Sequence, residues 1–249
     1  MENRIYGKKF EIDTEKTRKL YDKRAVNLDN MASIYTSVLL GDQNPEYADE
    51  WNKTEKDMIL PYLDIDSDSQ VLDLGCGIGR WAENLMPLCR AYVGIDFSSE
   101  MISVSKRRCA EFINENKYFL CSSVQDYLNS EKTLIRPDTV IFSYVCMYIN
   151  DSDIEGCFRK LLDAAEQKCT IYFLDTVALK ERLTLNEIYS SALKSDYSAL
   201  YRTVEEYDEL FGIFEKEGFK KVSQGFMPKL NSEVQYSETD RHYTILKRV

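Results

Sequence analysis

Residues 71–97 read VLDLGCGIGRWAENLMPLCRAYVGIDF, and this stretch decides the fold. The mostly apolar run over 71–74 predicts a strand that is buried on both faces. A glycine-rich turn follows, and apolar residues then recur at helical spacing over 80–88. A second short strand is predicted over 91–95, with Asp96 at its carboxyl end. A strand, a turn, a helix and a strand in this order predict a βαβ unit of a parallel sheet.

The glycine turn lies where such sheets bind their ligands, beyond the carboxyl ends of the strands. Gly75, Gly77 and Gly79 form the pattern G-x-G-x-G, whereas a dinucleotide fingerprint has G-x-G-x-x-G. Arg80 stands where that fingerprint has its third small residue. Asp73, two residues before the turn, would repel a phosphate and attract an ammonium group. These departures argue against NAD, and a dehydrogenase is kept as the less favoured alternative.

The segments DLGCGIGR and GIDFS resemble the corresponding motifs of the class I S-adenosylmethionine-dependent methyltransferases. The resemblance is to the bacterial small-molecule type, with methyltransferase domains of types 11, 12 and 25. It implies S-adenosyl-L-methionine as cofactor and S-adenosyl-L-homocysteine as product. It also implies that Asp73 lies near the amino group of the methionine part, that Arg80 pairs with its carboxylate, and that Asp96 binds both ribose hydroxyls.

Further cofactor contacts follow from the same resemblance. Phe97 and Met101 stand at positions that often touch the adenine ring in this family, although Met101 also fits a core position. The acid that usually follows the third strand is missing or shifted here, so Ser123 or Gln125 is expected to replace its hydrogen bond. The remaining contacts expected from the resemblance are Gly75, Cys76, Gly77, Gly79, Val124 and Ser143.

The predicted fold class is α/β, a Rossmann-like, doubly wound sheet of seven strands in which strand 7 is antiparallel. Residues 1–62 are expected to form a helical cover of the active site, and residues 63–249 the methyltransferase domain. Within that domain, residues 176–203 are expected to be a helical lid insertion after strand 5, because a plain connection would be shorter. The predicted strands are 71–74, 91–95, 117–121, 139–142, 170–174, 219–227 and 243–247. The predicted helices are 14–26, 47–63, 80–88, 98–114, 151–168 and 204–217, with a helix-like segment over 31–40 and a turn over 41–45.

The composition excludes several other classes of function. The chain has 249 residues and a formal net charge of −10 with scattered basic residues, which argues against nucleic-acid binding. No apolar segment is long enough to span a bilayer, so no membrane association is expected. Seven cysteines without a C-x-x-C pair, and a single histidine, predict no disulfide framework and no metal site. We expect a cytoplasmic protein that is a monomer or a homodimer.

Methyl transfer from a sulfonium needs in-line positioning, and it needs a general base only when the acceptor arrives as a protonated, weakly acidic group. Three residues are candidates for catalytic roles. Asp175 follows the fifth strand and can accept a proton, hold the acceptor or cap the next helix. His242 precedes the last strand and is either a base or an ordinary hairpin histidine. Tyr144 follows the fourth strand and either faces the reacting groups or packs with a wet tip.

The acceptor is expected to be a small, polar metabolite. Tyr148, Tyr201 and Arg202 are the predicted substrate-binding residues, while Tyr21 and Arg24 are either pocket residues or part of a surface helix. The segments GIGRW, YDKRA and YRTVEEY loosely resemble methyltransferases of surface-polysaccharide and natural-product pathways. The preferred interpretation is O-methylation of a sugar or phosphate-like group. The alternatives are N-methylation of an amino sugar, amine or protein N-terminus, and a non-catalytic cofactor-binding relative.

Overall fold

The fold is described here by a computed structural model over residues 3–31, 33–40, 44, 46–130, 135–191, 193–230 and 236–249. Through the central part of the chain, strands and helices alternate as the βαβ pattern predicts. In chain order, the strands and α-helices are β1 (Arg4–Tyr6), α1 (Thr14–Val26), α2 (Thr36–Leu39), α3 (Tyr47–Leu63), β2 (Gln70–Leu74), α4 (Ala82–Leu85), β3 (Ala91–Asp96), α5 (Ser99–Arg108), β4 (Lys117–Cys121), α6 (Val124–Asn129), β5 (Thr139–Ser143), α7 (Asp151–Ala164), β6 (Cys169–Ala178), β7 (Leu183–Ser190), β8 (Ser195–Tyr201), α8 (Val204–Lys216), β9 (Lys220–Phe226) and β10 (Thr239–Arg248).

The central sheet has seven strands in the order β4-β3-β2-β5-β6-β10-β9. Neighbouring strands from β4 to β6 pair in parallel, whereas β10 is antiparallel to both β6 and β9. The order reverses at β2, so the loops after β2 and β5 leave the sheet on either side of a topological switch point. The predicted doubly wound sheet with an antiparallel last strand is confirmed.

The helix bounds agree with the prediction where capping signals are clear. Helices α1 and α3 have the predicted bounds, and α8 ends just before Gly218. Helix α5 begins after Ser98, whose side chain accepts a hydrogen bond from the Met101 N–H at 3.1 Å, but it ends at Arg108 and not near residue 114. Helix α7 likewise ends at Ala164 and not at residue 168.

Two predicted helices are much shorter than expected. The segment 80–88 is α-helical only over Ala82–Leu85, because the glycine turn extends up to it and Pro87 follows closely. Of the segment 31–40, Thr36–Leu39 is α-helical. Most of the turn predicted over 41–45 lies outside the described residues.

The insertion after the fifth strand is β-structure, so the predicted helical lid over 176–203 is wrong. Strands β7 and β8 form an antiparallel hairpin, and β1 adds a third strand on the far side of β7. Residues Leu183, Leu185, Tyr197 and Ala199 follow the alternation of period two that favours a strand. The first three of the residues 176–203 belong to β6, and the N-terminal cover contains a strand as well as helices. This small unit is called the insertion sheet below.

Both faces of the central sheet are covered, which explains the apolar strands. One hydrophobic cluster joins the sheet to α6, α7 and α8 and contains Phe142, Phe158 and Phe173. The other joins the sheet to α3, α4 and α5 and contains Trp51 and Trp81. Side chains alternate between the two clusters along each strand, so a residue's position in a strand decides which face it reaches.

The described residues bear on the predictions about membranes, metals and disulfides. Within the ranges given above, no helix combines the length and apolar character needed to cross a membrane. Across the same ranges, no group of three or more histidine, cysteine, aspartate or glutamate residues is arranged to hold a metal ion. All seven cysteines are free thiols, and Cys121 is the exposed one among them.

Gly75 is predicted to be essential for the fold. Its φ of +74° is strained for any other residue, and an added Cβ would lie 2.3 Å from the Val145 side chain. We expect Gly75→Ala to lower the free energy of unfolding by about 3 kcal/mol, measured by urea denaturation. The matched control is Gly156→Ala in α7, where nothing lies within 4 Å of the added Cβ. Equal effects of the two changes would contradict this explanation.

Candidate functional site

A cavity lies beyond the carboxyl ends of β2, β3 and β5, and α1 closes one side of it. It contains about 990 Å³ of space free of protein atoms, part of which is open to solvent. All residues predicted to contact the cofactor line this cavity except Gly79. Gly79 lies behind the wall, against Ser105 and Cys109. The glycine turn and the two acids singled out in the sequence thus lie around one cavity, and their contacts with a cofactor stay a prediction.

The glycine turn forms the floor of the cavity. The N–H groups of Gly75 and Cys76 both donate to the Ile95 carbonyl oxygen, at 2.7 and 2.9 Å, and this holds the turn against β3. Gly77 has a φ of +53°, and an added Cβ would lie 2.9 Å from Val38. The turn therefore leaves bare backbone facing the cavity, as a close approach to a ligand requires.

Asp96 stands at the end of β3 with its carboxylate fixed by the backbone. Its Oδ2 accepts the Gly77 N–H at 2.9 Å, and its Oδ1 accepts the Ser98 N–H at 2.9 Å. Burial raises the pKa of Asp96 to about 6, although these two hydrogen bonds oppose the shift. Each carboxylate oxygen can accept more than one hydrogen bond, so both remain able to accept hydroxyl groups from the cavity.

Asp73 lies on the cavity wall and is only 1% exposed. The Tyr92 hydroxyl donates a hydrogen bond to its Oδ2. Burial raises the pKa of Asp73 to about 7, against the opposing effects of Tyr92 and Arg80. A cationic group in the cavity would favour the ionised form of this carboxyl group.

Arg80 also lines the cavity, and it is held by groups that the sequence did not point to. Its Nη1 forms an ion pair with Glu55 at 2.7 Å and donates to Asn52 at 3.3 Å. Its Nη2 donates to Ser143 Oγ at 2.9 Å. Asn52 and Glu55 are three residues apart on α3 and therefore share one helix face. The positions of Asn52 and Glu55 in the sequence do not indicate that they contact Arg80, so they were not among the predicted site residues.

The stretch after β4 contributes to the wall without the usual acid. Ser123 caps α6 by accepting the Asp126 N–H, and its hydroxyl donates to the Asp126 carboxylate at 2.7 Å. The shifted acid is thus Asp126, an exposed residue that bonds to the capping serine of α6. Gln125 lines the cavity, and its amide lies 3.4 Å from Asp153.

Four tyrosine hydroxyls form a chain from the cavity into the insertion sheet. The hydroxyls of Tyr21 and Tyr148, which both line the cavity, are 2.8 Å apart. Tyr148 is 2.9 Å from the Tyr197 hydroxyl, and Tyr201 donates to Tyr197 at 3.5 Å. Tyr148 and Tyr21 thus line the cavity, whereas Tyr201 lies at the far end of this series of hydroxyl groups and does not line the cavity.

Tyr144 is the one predicted catalytic residue that lines the cavity. It directly follows β5 with a φ of +61°, an uncommon conformation for a non-glycine residue, and its N–H donates to the Leu174 carbonyl at 2.7 Å. Burial raises the pKa of its hydroxyl well above the usual value. The Tyr144 hydroxyl is therefore neutral near physiological pH.

Asp175 and His242 do not line the cavity, which corrects their predicted placement. Strand β6 continues to Ala178 and β10 begins at Thr239, so both residues lie inside strands, directly opposite each other. Paired residues share a face, and this face is the one covered by α8. Asp175 accepts a hydrogen bond from Tyr207 at 3.0 Å, and His242 packs edge-on against Phe226.

Residues 71–168 match a methyltransferase-domain family, Methyltransf_25. This segment contains the glycine turn, both buried acids of the cavity and the strand that ends at Ser143. This match, together with the similar proteins described next, supports a class I S-adenosylmethionine-dependent methyltransferase.

Several known proteins are similar to this methyltransferase. An uncharacterized methyltransferase of Halobacillus halophilus, YrrT, is 26% identical over 194 residues, which are 76% of this chain and 85% of that protein. Phosphoethanolamine N-methyltransferase 3 of Arabidopsis thaliana is 25% identical over 129 residues, 52% of this chain and 26% of that protein. The fold is similar to Haemonchus contortus phosphoethanolamine N-methyltransferase 1 in complex with phosphoethanolamine and S-adenosylhomocysteine. That match has a TM-score of 0.69 and 15% identity, and it covers 96% of this chain and 50% of that one.

Arg202 of the methyltransferase is a structural residue, so its predicted role in substrate binding is wrong. It is 1% exposed and does not line the cavity. Its guanidinium donates to the carbonyls of Cys146 and Ile149, at 2.8 and 2.7 Å, and to Asp151 Oδ1. Arg182, which directly precedes β7 of the insertion sheet, pairs with the same Asp151 carboxylate. These contacts fix the turn that carries Tyr148.

We expect Arg202→Lys to lower the free energy of unfolding by about 3 kcal/mol. A lysine cannot reproduce the forked hydrogen bonds, so the carbonyls of Cys146 and Ile149 lose a donor and the half-buried Asp151 carboxylate keeps only Arg182 of its two arginine partners. The control Arg159→Lys alters an exposed pair with Glu155 and should cost less than about 0.5 kcal/mol. Urea denaturation measures both. Unchanged stability of Arg202→Lys would contradict the structural role.

Proposed function

We propose that this methyltransferase transfers a methyl group to the nitrogen of a small amine. The observation that carries the proposal is the chemistry of the cavity wall. Among the described residues that line it, the carboxyl groups are Asp73 and Asp96, and the cation Arg80 is already paired with Glu55. The wall is therefore acidic and rich in tyrosine, which favours a neutral or cationic acceptor over an anionic one.

The cavity fits the cofactor that the family uses. The bare backbone at Gly75 and Gly77 gives room for the close approach of a ligand. The buried side chains of Asp73 and Asp96 line the same cavity. We assign Asp73 to the amino group, Arg80 to the carboxylate and Asp96 to the ribose hydroxyls. When bound, S-adenosylmethionine supplies an already activated methyl group, so the protein's main contribution is orientation.

The tyrosine chain supports an acceptor site beside the cofactor. An amine that arrives unprotonated needs groups that accept its N–H bonds and no strong base. The hydroxyls of Tyr21 and Tyr148 are such groups, and their aromatic faces attract the positive charge that develops on the nitrogen. The sequence similarity to phosphoethanolamine N-methyltransferase 3 supports nitrogen as the methylated atom.

O-methylation of a sugar or phosphate-like oxygen, which the sequence favoured, becomes the second candidate. The hydroxyls of Tyr21 and Tyr148 can also orient a sugar hydroxyl, but such a group needs a base to take its proton. The two candidates for that base, His242 and Asp175, do not line the cavity; both lie within strands, and Asp175 is bonded to Tyr207 of α8. A phosphate-like oxygen would meet an acidic wall.

The acceptor class is tested with a methyl-labelled cofactor and matched pairs of small molecules. Ethanolamine, phosphoethanolamine and glucosamine are compared with ethylene glycol, glycerol phosphate and glucose. We expect label on the amines only, and less on phosphoethanolamine than on ethanolamine and glucosamine, because the acidic wall disfavours its phosphate. Label on the hydroxyl compounds alone would replace the proposal with O-methylation, and cofactor binding without transfer to any acceptor would favour a non-catalytic relative.

Tyr148→Phe should raise the KM for the amine about 3- to 10-fold, the loss of one hydrogen bond, with little change in the affinity for S-adenosylhomocysteine. Tyr189→Phe is the matched control, because Tyr189 lies in the insertion sheet but is 65% exposed. Steady-state kinetics and calorimetry give the two quantities. An equal loss of cofactor affinity in Tyr148→Phe would contradict the acceptor role.

Cofactor affinity should depend on pH through Asp73. Its folded pKa of about 7 lies above the ordinary 3.8, so between these values the ligand-free fold binds more protons than the unfolded chain and loses stability as the pH rises. An ammonium favours the ionised carboxylate, so the affinity for S-adenosylhomocysteine should increase about 10-fold from pH 6 to pH 8. Calorimetry of wild type and of Asp73→Asn tests this. The variant should bind weakly at both pH values, and a flat profile in the wild type would contradict the assignment.

A further inference from the structure

Glu55 is a buried carboxylate behind the cavity wall, against Arg80 and Ser143; it is contributed by α3 and is 0% exposed. Its Oε2 pairs with Arg80 Nη1 at 2.7 Å. Its Oε1 accepts hydrogen bonds from Ser143 Oγ at 2.7 Å and from the Tyr172 hydroxyl at 3.0 Å. Both oxygens are thus engaged, so burial of this charge is compensated by partners on three separate elements.

These contacts fix the position of the Arg80 guanidinium. Nη1 is held by Glu55 and Asn52, while Nη2 is held by Ser143. The guanidinium also lies over the Trp81 ring, 5.6 Å from its centroid. A planar group held on its edges and on a face has little freedom to turn, although it still borders the cavity.

Asp73 is the carboxyl group of the cavity wall with which Arg80 could form an ion pair. The two residues flank the same cavity, and Arg80 lowers the pKa of Asp73 against the larger effect of burial. An arginine released from Glu55 would gain most by turning toward Asp73. The two charges would then neutralise each other and leave neither for a ligand.

We propose that Glu55 is a positioning residue that holds Arg80 away from Asp73. The site then keeps a separated cation and anion, which matches a ligand that carries a carboxylate and an ammonium on one carbon. This inference rests on the cofactor placement proposed above, and it assigns to α3 the selection of the amino-acid end of the cofactor.

The test compares two probes by calorimetry at one pH. S-adenosylhomocysteine carries the amino-acid group, whereas 5′-methylthioadenosine has the same adenosine and thioether without it. In Glu55→Gln we expect the Kd of S-adenosylhomocysteine to rise about 10-fold and that of methylthioadenosine to change less than about 2-fold. Equal weakening of both probes, or an unchanged or lower Kd for S-adenosylhomocysteine, would overturn the proposal.

The matched control is Asp57→Asn, the same chemical change on the same helix. Asp57 is exposed and pairs with Lys53, so neither Kd should change. In an Arg80→Ala background, Glu55→Gln should cause no further loss of selectivity between the probes, because it acts through Arg80. A further loss there would overturn the proposal. If Arg80→Ala itself leaves the selectivity intact, the cofactor placement fails, and the role of Glu55 fails with it.

Discussion

The close contact between Gly75 and Val145 is the constraint on which the site depends. It joins the turn after β2 to the turn after β5, on either side of the switch point of the sheet. Because no side chain separates them, the two turns can form one continuous floor. The same contact sets the distance between Asp73 on one strand and the Tyr144–Tyr148 segment beyond the other. The Asp73 end and the Tyr148 end of the cavity are thus placed relative to each other by packing.

The second requirement is that buried charges have partners. Glu55 with Arg80, and Asp151 with Arg182 and Arg202, each join the central domain to a segment that covers it. Such pairs add little net stability over apolar contacts, but a misplaced segment would leave a charge uncompensated. They therefore restrict how α3 and the insertion sheet can pack, and this restriction gives the cavity its shape.

The sequence predicted what depends on local patterns. The glycine turn, Asp73, Asp96 and the seven strands were found because turns and buried strands have strong local signatures. His242 and Asp175 were misplaced because β6 and β10 extend several residues further than predicted, so both residues lie within the paired strands and not beyond their ends. Glu55 was missed because its partner is distant in the sequence. The insertion was misjudged although its alternating apolar residues favour strands, whereas its pairing with β1 is distant in the sequence and no local pattern reveals it.

That pairing has a consequence for how the molecule is made. In β1, Arg4 is in register with Leu185 of β7, so β1 can pair only after β7 has been synthesised. The central strands from β2 to β5 can pair with one another earlier, since their partners are nearer in sequence. The side of the cavity at Tyr148, which contacts Tyr197 of the insertion sheet, is therefore completed after the glycine turn. During translation, the N-terminal segment must stay unpaired until that stage.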